Sequence, residues 1–268
     1  MNRRIFLKKT GFCLFGIGVV SPILANAFDD RCDEKICKRA WAKLCGNISV
    51  VYKNDAFEYV HPIEGFPNVL LYGDSVSIAY TPQVRALLKG KANVFRLFKN
   101  GGSSRNFIPN MEKMKTTMFQ PFLKNGWNFN WDLIHFNVGL HDLKYLANGK
   151  LDKKRGKPVS SIDEYKSNLY SICDYLKKSF PSARLIFATT TPVPPNAKGR
   201  FSGDGERYNR AAIEVLANFP DISVNDLYAF TKPNQNEWAQ EAGNVHFNEL
   251  GYTCQGKEVA RVIEQCLF

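Results

Sequence analysis

The run Val69-Leu-Leu-Tyr-Gly-Asp-Ser-Val-Ser77 decides the fold of this chain. Its first four residues are apolar or aromatic and predict a buried strand that ends at Gly73. A helix-compatible segment follows Asp74 and Ser75, so the run predicts a strand, a tight turn and a helix start. In open α/β sheets this corner lies at the carboxyl edge of the sheet, where ligands bind. The Ser75 hydroxyl is therefore expected at that edge, near helix N–H groups that can stabilise a negatively charged oxygen.

A regular alternation of strands and helices extends outward from this corner. The predicted strands are 69–72, 94–98, 132–138, 184–190 and 222–225. The predicted helices are 33–44, 82–89, 111–123, 162–180, 207–217 and 249–266, while 150–158 and 192–205 are predicted to be loops. Strands that alternate with helices indicate a parallel sheet covered on both faces. We therefore expect a flavodoxin-like three-layer α/β/α sandwich with a central, mostly parallel five-stranded sheet.

The first 27 residues have the pattern of an export signal. Basic residues at the start precede an apolar stretch, and Ala25-Asn26-Ala27 resembles a cleavage site. Arg3-Arg4-Ile5-Phe6-Leu7-Lys8 resembles the twin-arginine signal, although an ordinary secretory signal or an uncleaved anchor remains an alternative. The apolar stretch is short for a membrane span, so we expect no stable membrane insertion after cleavage. The predicted organisation is a signal at 1–27, a Cys-containing extension at 28–67 and one domain at 68–268, in a periplasmic or secreted protein.

The net charge and its distribution indicate which kinds of partner the protein can bind. The chain of 268 residues has a net charge of +11, and the remainder after residue 27 carries +7 because that segment holds four basic and no acidic residues. Lys and Arg are scattered, which argues against nucleic-acid binding and is compatible with an acidic polysaccharide or an anionic cell envelope.

Six cysteines follow the signal, and in an exported protein they indicate disulfides. In one plausible pattern, disulfides link cysteines within the extension and fix the last helix in place. A metal site is a weaker alternative because close histidines are absent. These cysteines are Cys32, Cys37, Cys45, Cys173, Cys254 and Cys266.

Four short segments carry residues suited to acyl transfer. They are Gly-Asp-Ser at 73–75, Asn-Gly-Gly-Ser-Ser at 100–104, Gly-Leu-His-Asp at 139–142 and Asn-Val-His-Phe-Asn at 244–248. The first three follow predicted strands and the fourth opens the last helix, so they are expected to converge at one edge of the sheet. A serine hydroxyl is a weak nucleophile until a base takes its proton, and histidine titrates near neutral pH. Glycine N–H groups can approach the resulting oxyanion closely.

These four segments, in this order, resemble the block motifs of the SGNH (GDSL) hydrolases over about residues 68–268. The resemblance is to a bacterial esterase-like subgroup with a Gly-Leu-His-Asp third block. It implies that Ser75 is the nucleophile and first oxyanion donor, that Gly102 is the second donor and that His246 is the general base. His141 would be the third donor, where the family usually has Asn. No metal or organic cofactor is expected.

The chain departs from the family pattern at the acid of the triad. The family has an Asp three residues before the histidine, and here that residue is Gly243. A carboxylate at this position orients the imidazole and stabilises the imidazolium. Glu241 is one candidate replacement if the loop bends. A backbone carbonyl is another, which would leave a Ser–His dyad.

The predicted function is that of an exported serine esterase that acts on a small-molecule or polysaccharide ester. The resemblance implies O-acetyl groups on a carbohydrate as the preferred substrate. An O-acyltransferase using the same residues is an alternative, in which a sugar hydroxyl replaces water as the acceptor. A catalytically weak carbohydrate-binding relative is another, and Gly243 is the feature that motivates it.

Overall fold

The computed structural model describes residues 32–46 and 54–268, and a five-stranded parallel sheet lies at its centre. The strands are β1 (Asn68–Tyr72), β2 (Asn93–Arg96), β3 (Leu133–Phe136), β4 (Tyr145–Ala147), β5 (Lys150–Leu151), β6 (Lys157–Pro158), β7 (Arg184–Ala188) and β8 (Ile222–Asn225). The central sheet has the order β2-β1-β3-β7-β8, and every pairing in it is parallel. Its three middle strands are almost entirely buried, as expected for a parallel sheet with both faces covered. The predicted fold class is confirmed.

Helices cover the sheet on both faces. They are α1 (Glu34–Leu44), α2 (Ser75–Leu87), α3 (Phe107–Met118), α4 (Ile162–Ser179), α5 (Asp204–Leu216), α6 (Leu227–Thr231), α7 (Gln235–Trp238) and α8 (Glu249–Leu267). The first and last long helices of the domain, α2 and α8, pack against each other, and α4 packs against α5. This pairing brings the start of α2 and the start of α8 into one neighbourhood, although they are far apart in sequence.

Several elements differ from the sequence expectation: the short helices α6 and α7 were not predicted, and the helix expected at 111–123 is α3, which begins and ends earlier. The helix expected at 82–89 begins at Ser75, because the Asp74 carboxylate accepts the Val76 N–H at 2.9 Å and caps it there. The segment expected to be a loop at 150–158 instead contributes to a small antiparallel sheet with the order β5-β4-β6. Its strands are only two or three residues long, too short to show a period in the sequence.

The described part of the predicted extension packs onto the domain. The indole of Trp41 on α1 donates to the Phe57 carbonyl at 2.7 Å and lies against the Trp127 ring, so both belong to the common core. Cys32 and Cys37 form a disulfide, in line with the stapled extension. The expected pinning of the last helix is not seen, since Cys254 and Cys266 have no disulfide partner within the described residues.

The predicted export signal at 1–27 lies outside the described residues and stays a prediction. Within 32–46 and 54–268, no helix is both long enough and apolar enough to span a membrane.

Candidate active site

Ser75 occupies the corner between β1 and α2. The backbone turns sharply here and is closely packed: a Cβ added at Gly73 would lie 2.8 Å from the Ser77 side chain. The Gly101 N–H donates to the Gly73 carbonyl at 2.9 Å, which ties the loop after β2 to the corner. In a sheet of this order the ligand crevice opens beside β1, where the chain changes direction. The half-buried Ser75 therefore lies at the carboxyl end of β1, the edge at which ligands bind in sheets of this kind.

His246 lies next to that hydroxyl. Its Nε2 is 2.9 Å from the Ser75 Oγ, a contact between residues 171 positions apart that the packing of α2 on α8 brings about. Burial lowers the pKa of His246; nearby Asp74 opposes this shift, and Arg200 and Lys144 reinforce it. The imidazole is consequently neutral at neutral pH, and its Nε2 can accept the Ser75 proton.

Asn244 orients the imidazole. Its Oδ1 lies 2.8 Å from the His246 Nδ1 and also accepts the backbone N–H of His246 at 3.0 Å. An amide oxygen only accepts, so Nδ1 carries the hydrogen and Nε2 presents its lone pair to Ser75. No role for Asn244 was predicted from the sequence. The Asn-x-His spacing was its only signal, and the contact depends on how the loop folds.

The backbone at Gly243 has a conformation that disfavours the aspartate usual in the family. Gly243 has φ +75°, and a Cβ there would lie 3.1 Å from the Asn196 carbonyl oxygen, so an aspartate would be strained and crowded. The turn closes with the Asn244 N–H donating to the Glu241 carbonyl at 3.2 Å. The Glu241 carboxylate accepts the Asn244 Nδ2 at 3.0 Å. Glu241 therefore holds the amide that contacts His246, one step removed from the imidazole.

Gly102, the predicted second oxyanion donor, lies in the loop after β2 with φ +70°. Its N–H donates to the Asn100 Oδ1 at 3.0 Å, so in this state the group is engaged within its own loop. A Cβ at position 102 would lie 3.0 Å from the Asn106 Oδ1. Both the positive φ and this contact favour glycine at this position.

His141, the predicted third donor, follows β3 and is paired with a lysine. The Lys144 Nζ lies 2.8 Å from the His141 Nδ1, while within the described residues the Nε2 has no hydrogen-bond partner. The pKa of His141 is lowered to about 4, mainly by burial; Asp74 opposes this shift, and Lys144, Arg200 and His246 contribute to it. The imidazole is therefore neutral at neutral pH.

Asp142 joins the loops that carry these groups. Its buried carboxylate accepts the Ser104 N–H at 2.9 Å, the Ser104 hydroxyl at 2.6 Å and the Ser160 hydroxyl at 2.8 Å. Burial raises the pKa of Asp142, and the hydrogen bonds from Ser104 oppose that rise. The carboxylate thus links the loop after β2 to the loop after β3. None of these hydrogen bonds connects Asp142 to Ser75 or His246.

The chemistry available here is that of an activated serine. Ser75, His246 and Asn244 form a connected nucleophile, base and orienting group. Among residues 32–46 and 54–268, no group of three or more His, Cys, Asp or Glu side chains is arranged to hold a metal ion.

Comparison with known proteins gives a consistent picture. A model of the GDSL-like lipase/acylhydrolase family matches residues 72–254. A multidomain esterase of Ruminococcus flavefaciens is 29% identical over 135 residues, which is 50% of this chain but only 16% of that protein. A lipase/acylhydrolase structure from Enterococcus faecalis aligns with TM-score 0.53 and 17% identity, covering 76% of this chain and 98% of the other. An acetylxylan esterase structure from Geobacillus stearothermophilus aligns with TM-score 0.54 and 16% identity, covering 74% and 94%.

Proposed function

Because the chain belongs to the GDSL-like lipase/acylhydrolase family, we propose that it is an exported serine esterase with Ser75 as nucleophile and His246 as base. Family membership places the protein among carboxylic ester hydrolases. The observation that carries the assignment of residues is the 2.9 Å contact between the Ser75 Oγ and the His246 Nε2. A nucleophile within hydrogen-bond distance of a neutral, oriented base is the arrangement that acyl transfer requires.

The proposed reaction has two steps. The Ser75 Oγ attacks the ester carbonyl and its proton passes to the His246 Nε2, which forms a tetrahedral intermediate and an imidazolium. Collapse of the intermediate breaks the ester C–O bond, and His246 returns the proton to the departing alcohol. Water then attacks the acyl-serine and gives its proton to His246. Collapse of the second tetrahedral intermediate breaks the bond between the acyl carbon and the Ser75 Oγ, His246 returns the proton to that oxygen, and the carboxylic acid leaves.

Three donors are proposed to hold the oxyanion: the Ser75 N–H at the start of α2, the Gly102 N–H and the His141 Nε2–H. The first gains from the helix dipole. The second is shared with Asn100, whose side chain has to yield part of its hydrogen bond when substrate binds. Loss of one such donor typically costs about 10²–10³ in kcat.

Asn244 replaces the usual acid in orienting His246. Its amide oxygen selects the required tautomer but carries no charge, so it stabilises the imidazolium less than a carboxylate would. The alternative of a catalytically weak carbohydrate-binding protein was motivated by the missing acid at Gly243. The contact from Asn244 supplies a group that orients His246 in place of that acid. We therefore favour a working enzyme with a Ser-His-Asn arrangement.

O-acetyl groups on a carbohydrate are the proposed substrate, and the periplasm or the extracellular space is the proposed location. The fold similarity to an acetylxylan esterase supports the first proposal, and the pattern of residues 1–27 supports the second. The excess of positive charge beyond residue 27 is compatible with a polysaccharide in an anionic envelope.

The test is hydrolysis of p-nitrophenyl acetate by the chain from residue 28 onward, with Ser75→Ala and with Ser171→Ala as a matched control. Ser171 is exposed on α4 and its hydroxyl bonds only within that helix. We expect Ser75→Ala to abolish turnover and Ser171→Ala to retain it. Equal turnover by all three proteins would refute Ser75 as nucleophile. Acetate release from acetylated xylan, measured on the same proteins, then tests the substrate class.

A further inference from the structure

We infer that Lys144 is a positioning residue that makes His141 an oxyanion donor by holding its imidazole as the neutral Nε2–H tautomer. The inference rests on the proposed function, because this donor acts only on an oxyanion formed at Ser75. It adds a residue to the site that neither the family motifs nor the sequence pattern assigned.

The geometry determines the direction of the hydrogen bond. The Lys144 Nζ lies 2.8 Å from the His141 Nδ1, and an ammonium group has three donors and no acceptor. The Nδ1 must therefore accept. A neutral imidazole that accepts at Nδ1 carries its hydrogen on Nε2, so the free ring nitrogen is a donor.

The surroundings keep the proton on lysine and off the ring. The charged or titratable groups that act on His141 are Lys144, Arg200, His246 and Asp74, and burial together with the first three disfavours an imidazolium. Burial and Arg200 also lower the pKa of Lys144, while Asp74 and Asp142 raise it. An amine starts about four units more basic than an imidazole, so the ammonium–imidazole arrangement is the stable one.

The segment that carries both residues is held at each end. The Leu140 carbonyl, immediately before His141, accepts the Arg200 Nε at 3.0 Å. The Tyr145 N–H, immediately after Lys144, donates to the Gly199 carbonyl at 2.8 Å. The Lys144 side chain is thus attached to a backbone that has little freedom to move away from His141.

The Lys144–His141 pair fixes the tautomer of the histidine, which an asparagine at this position would not require. An asparagine amide always offers an N–H, whereas a neutral histidine offers one at Nε2 in only one of its two tautomers. In the other tautomer, the Nε2 lone pair would face the developing oxyanion and repel it. Lys144 removes that second tautomer, so the site gains a donor without needing a charged imidazole.

The kinetic test is a double-mutant cycle on p-nitrophenyl acetate. We expect Lys144→Met to lower kcat by about 10- to 100-fold, part of the value of one oxyanion donor, with KM within about twofold. In a His141→Asn background, where no tautomer exists, Lys144→Met should change kcat less than about twofold. Lys154→Met, which removes the same charge from an exposed lysine in the turn between β5 and β6, is the control and should leave kcat unchanged. An equal loss from Lys144→Met in both backgrounds would overturn the inference.

A second measurement does not depend on turnover, and its deciding arm keeps Lys144 in place and needs no Lys144 variant to fold. Nitrogen-15 NMR of histidine-labelled protein distinguishes the two neutral tautomers, with His141→Asn used to assign the signal. We expect Nε2–H for His141 in Ser75→Ala protein, and a loss of that preference in Lys144→Met. An Nδ1–H tautomer in the presence of Lys144 would overturn the inference even if Ser75 proves to be the nucleophile. Failure of the proposed function would show separately, as turnover that survives Ser75→Ala.

Discussion

Replacing Asn244 by aspartate, together with Glu241→Gln, is expected to raise kcat about tenfold. The Asn244 Oδ1 accepts the His246 Nδ1–H at 2.8 Å. A hydrogen bond between neutral groups contributes about 0.5–1.5 kcal/mol, and one to a charged group about 1.5–3 kcal/mol. The difference, about 1–1.5 kcal/mol, acts mainly when His246 becomes an imidazolium in the transition state. Each 1.36 kcal/mol is tenfold in rate.

The second substitution is part of the design. The Asn244 Nδ2 donates to the Glu241 carboxylate at 3.0 Å, so aspartate at 244 alone would set two carboxylates against each other. Glu241→Gln removes that repulsion and supplies an amide donor. We expect Asn244→Asp alone to gain less than the pair, and Glu241→Gln alone to change kcat less than about threefold because Glu241 does not touch the imidazole.

The pH dependence of kcat/KM tests the Asn244→Asp, Glu241→Gln double variant independently of the size of kcat. Activity requires neutral His246 and is lost as the pH falls through its pKa, which burial lowers in the native protein. An adjacent carboxylate favours the imidazolium, so the acidic limb of kcat/KM should move to higher pH in the double variant. The assay is p-nitrophenyl acetate hydrolysis from pH 5 to 9. An unmoved limb with unchanged kcat, combined with full activity of Asn244→Ala, would refute the orienting role.

Three further changes test the frame of the site. Gly102→Ala should lower kcat about 100-fold in the same assay, because a side chain is strained at φ +70° and would displace the N–H from the oxyanion. Asp142→Ala should lower the free energy of unfolding, measured in urea, by about 2–4 kcal/mol, since the N–H and hydroxyl of Ser104 lose their buried acceptor. Gly243→Asp, which restores the family's acid in sequence only, should lower the melting temperature and give no gain in kcat, because its Cβ would meet the Asn196 carbonyl at 3.1 Å. A rise in kcat with Gly243→Asp would contradict this account of the turn.

Much of the architecture followed from local pattern. The apolar run before Gly73 predicted β1, and the turn residues predicted the corner that carries Ser75. The five strands of the central sheet were all located to within a few residues. In the three middle strands, burial on both faces leaves a largely apolar run in the sequence. The position of His246 before the last helix also came from the motif order. The distance between His246 and Ser75 could not be predicted from the motif order.

Other features depended on the tertiary structure. The small sheet of β4, β5 and β6 was not predicted, because its strands are too short to carry a period. Asn244 was not recognised as the partner of His246, because its role arises from the positive φ of Gly243 and the turn that this residue permits.

The Lys144–His141 pair shows the same division between local pattern and three-dimensional contact. His141 belongs to the third motif and Lys144 follows it two residues after the motif ends, but their hydrogen bond depends on how the loop after β3 is held. Strand and helix patterns are local because backbone hydrogen bonding and burial repeat along the chain. An active site joins single side chains from separate loops, such as Ser75 and His246 at 171 positions apart, so its bonds are decided only when the loops are packed together.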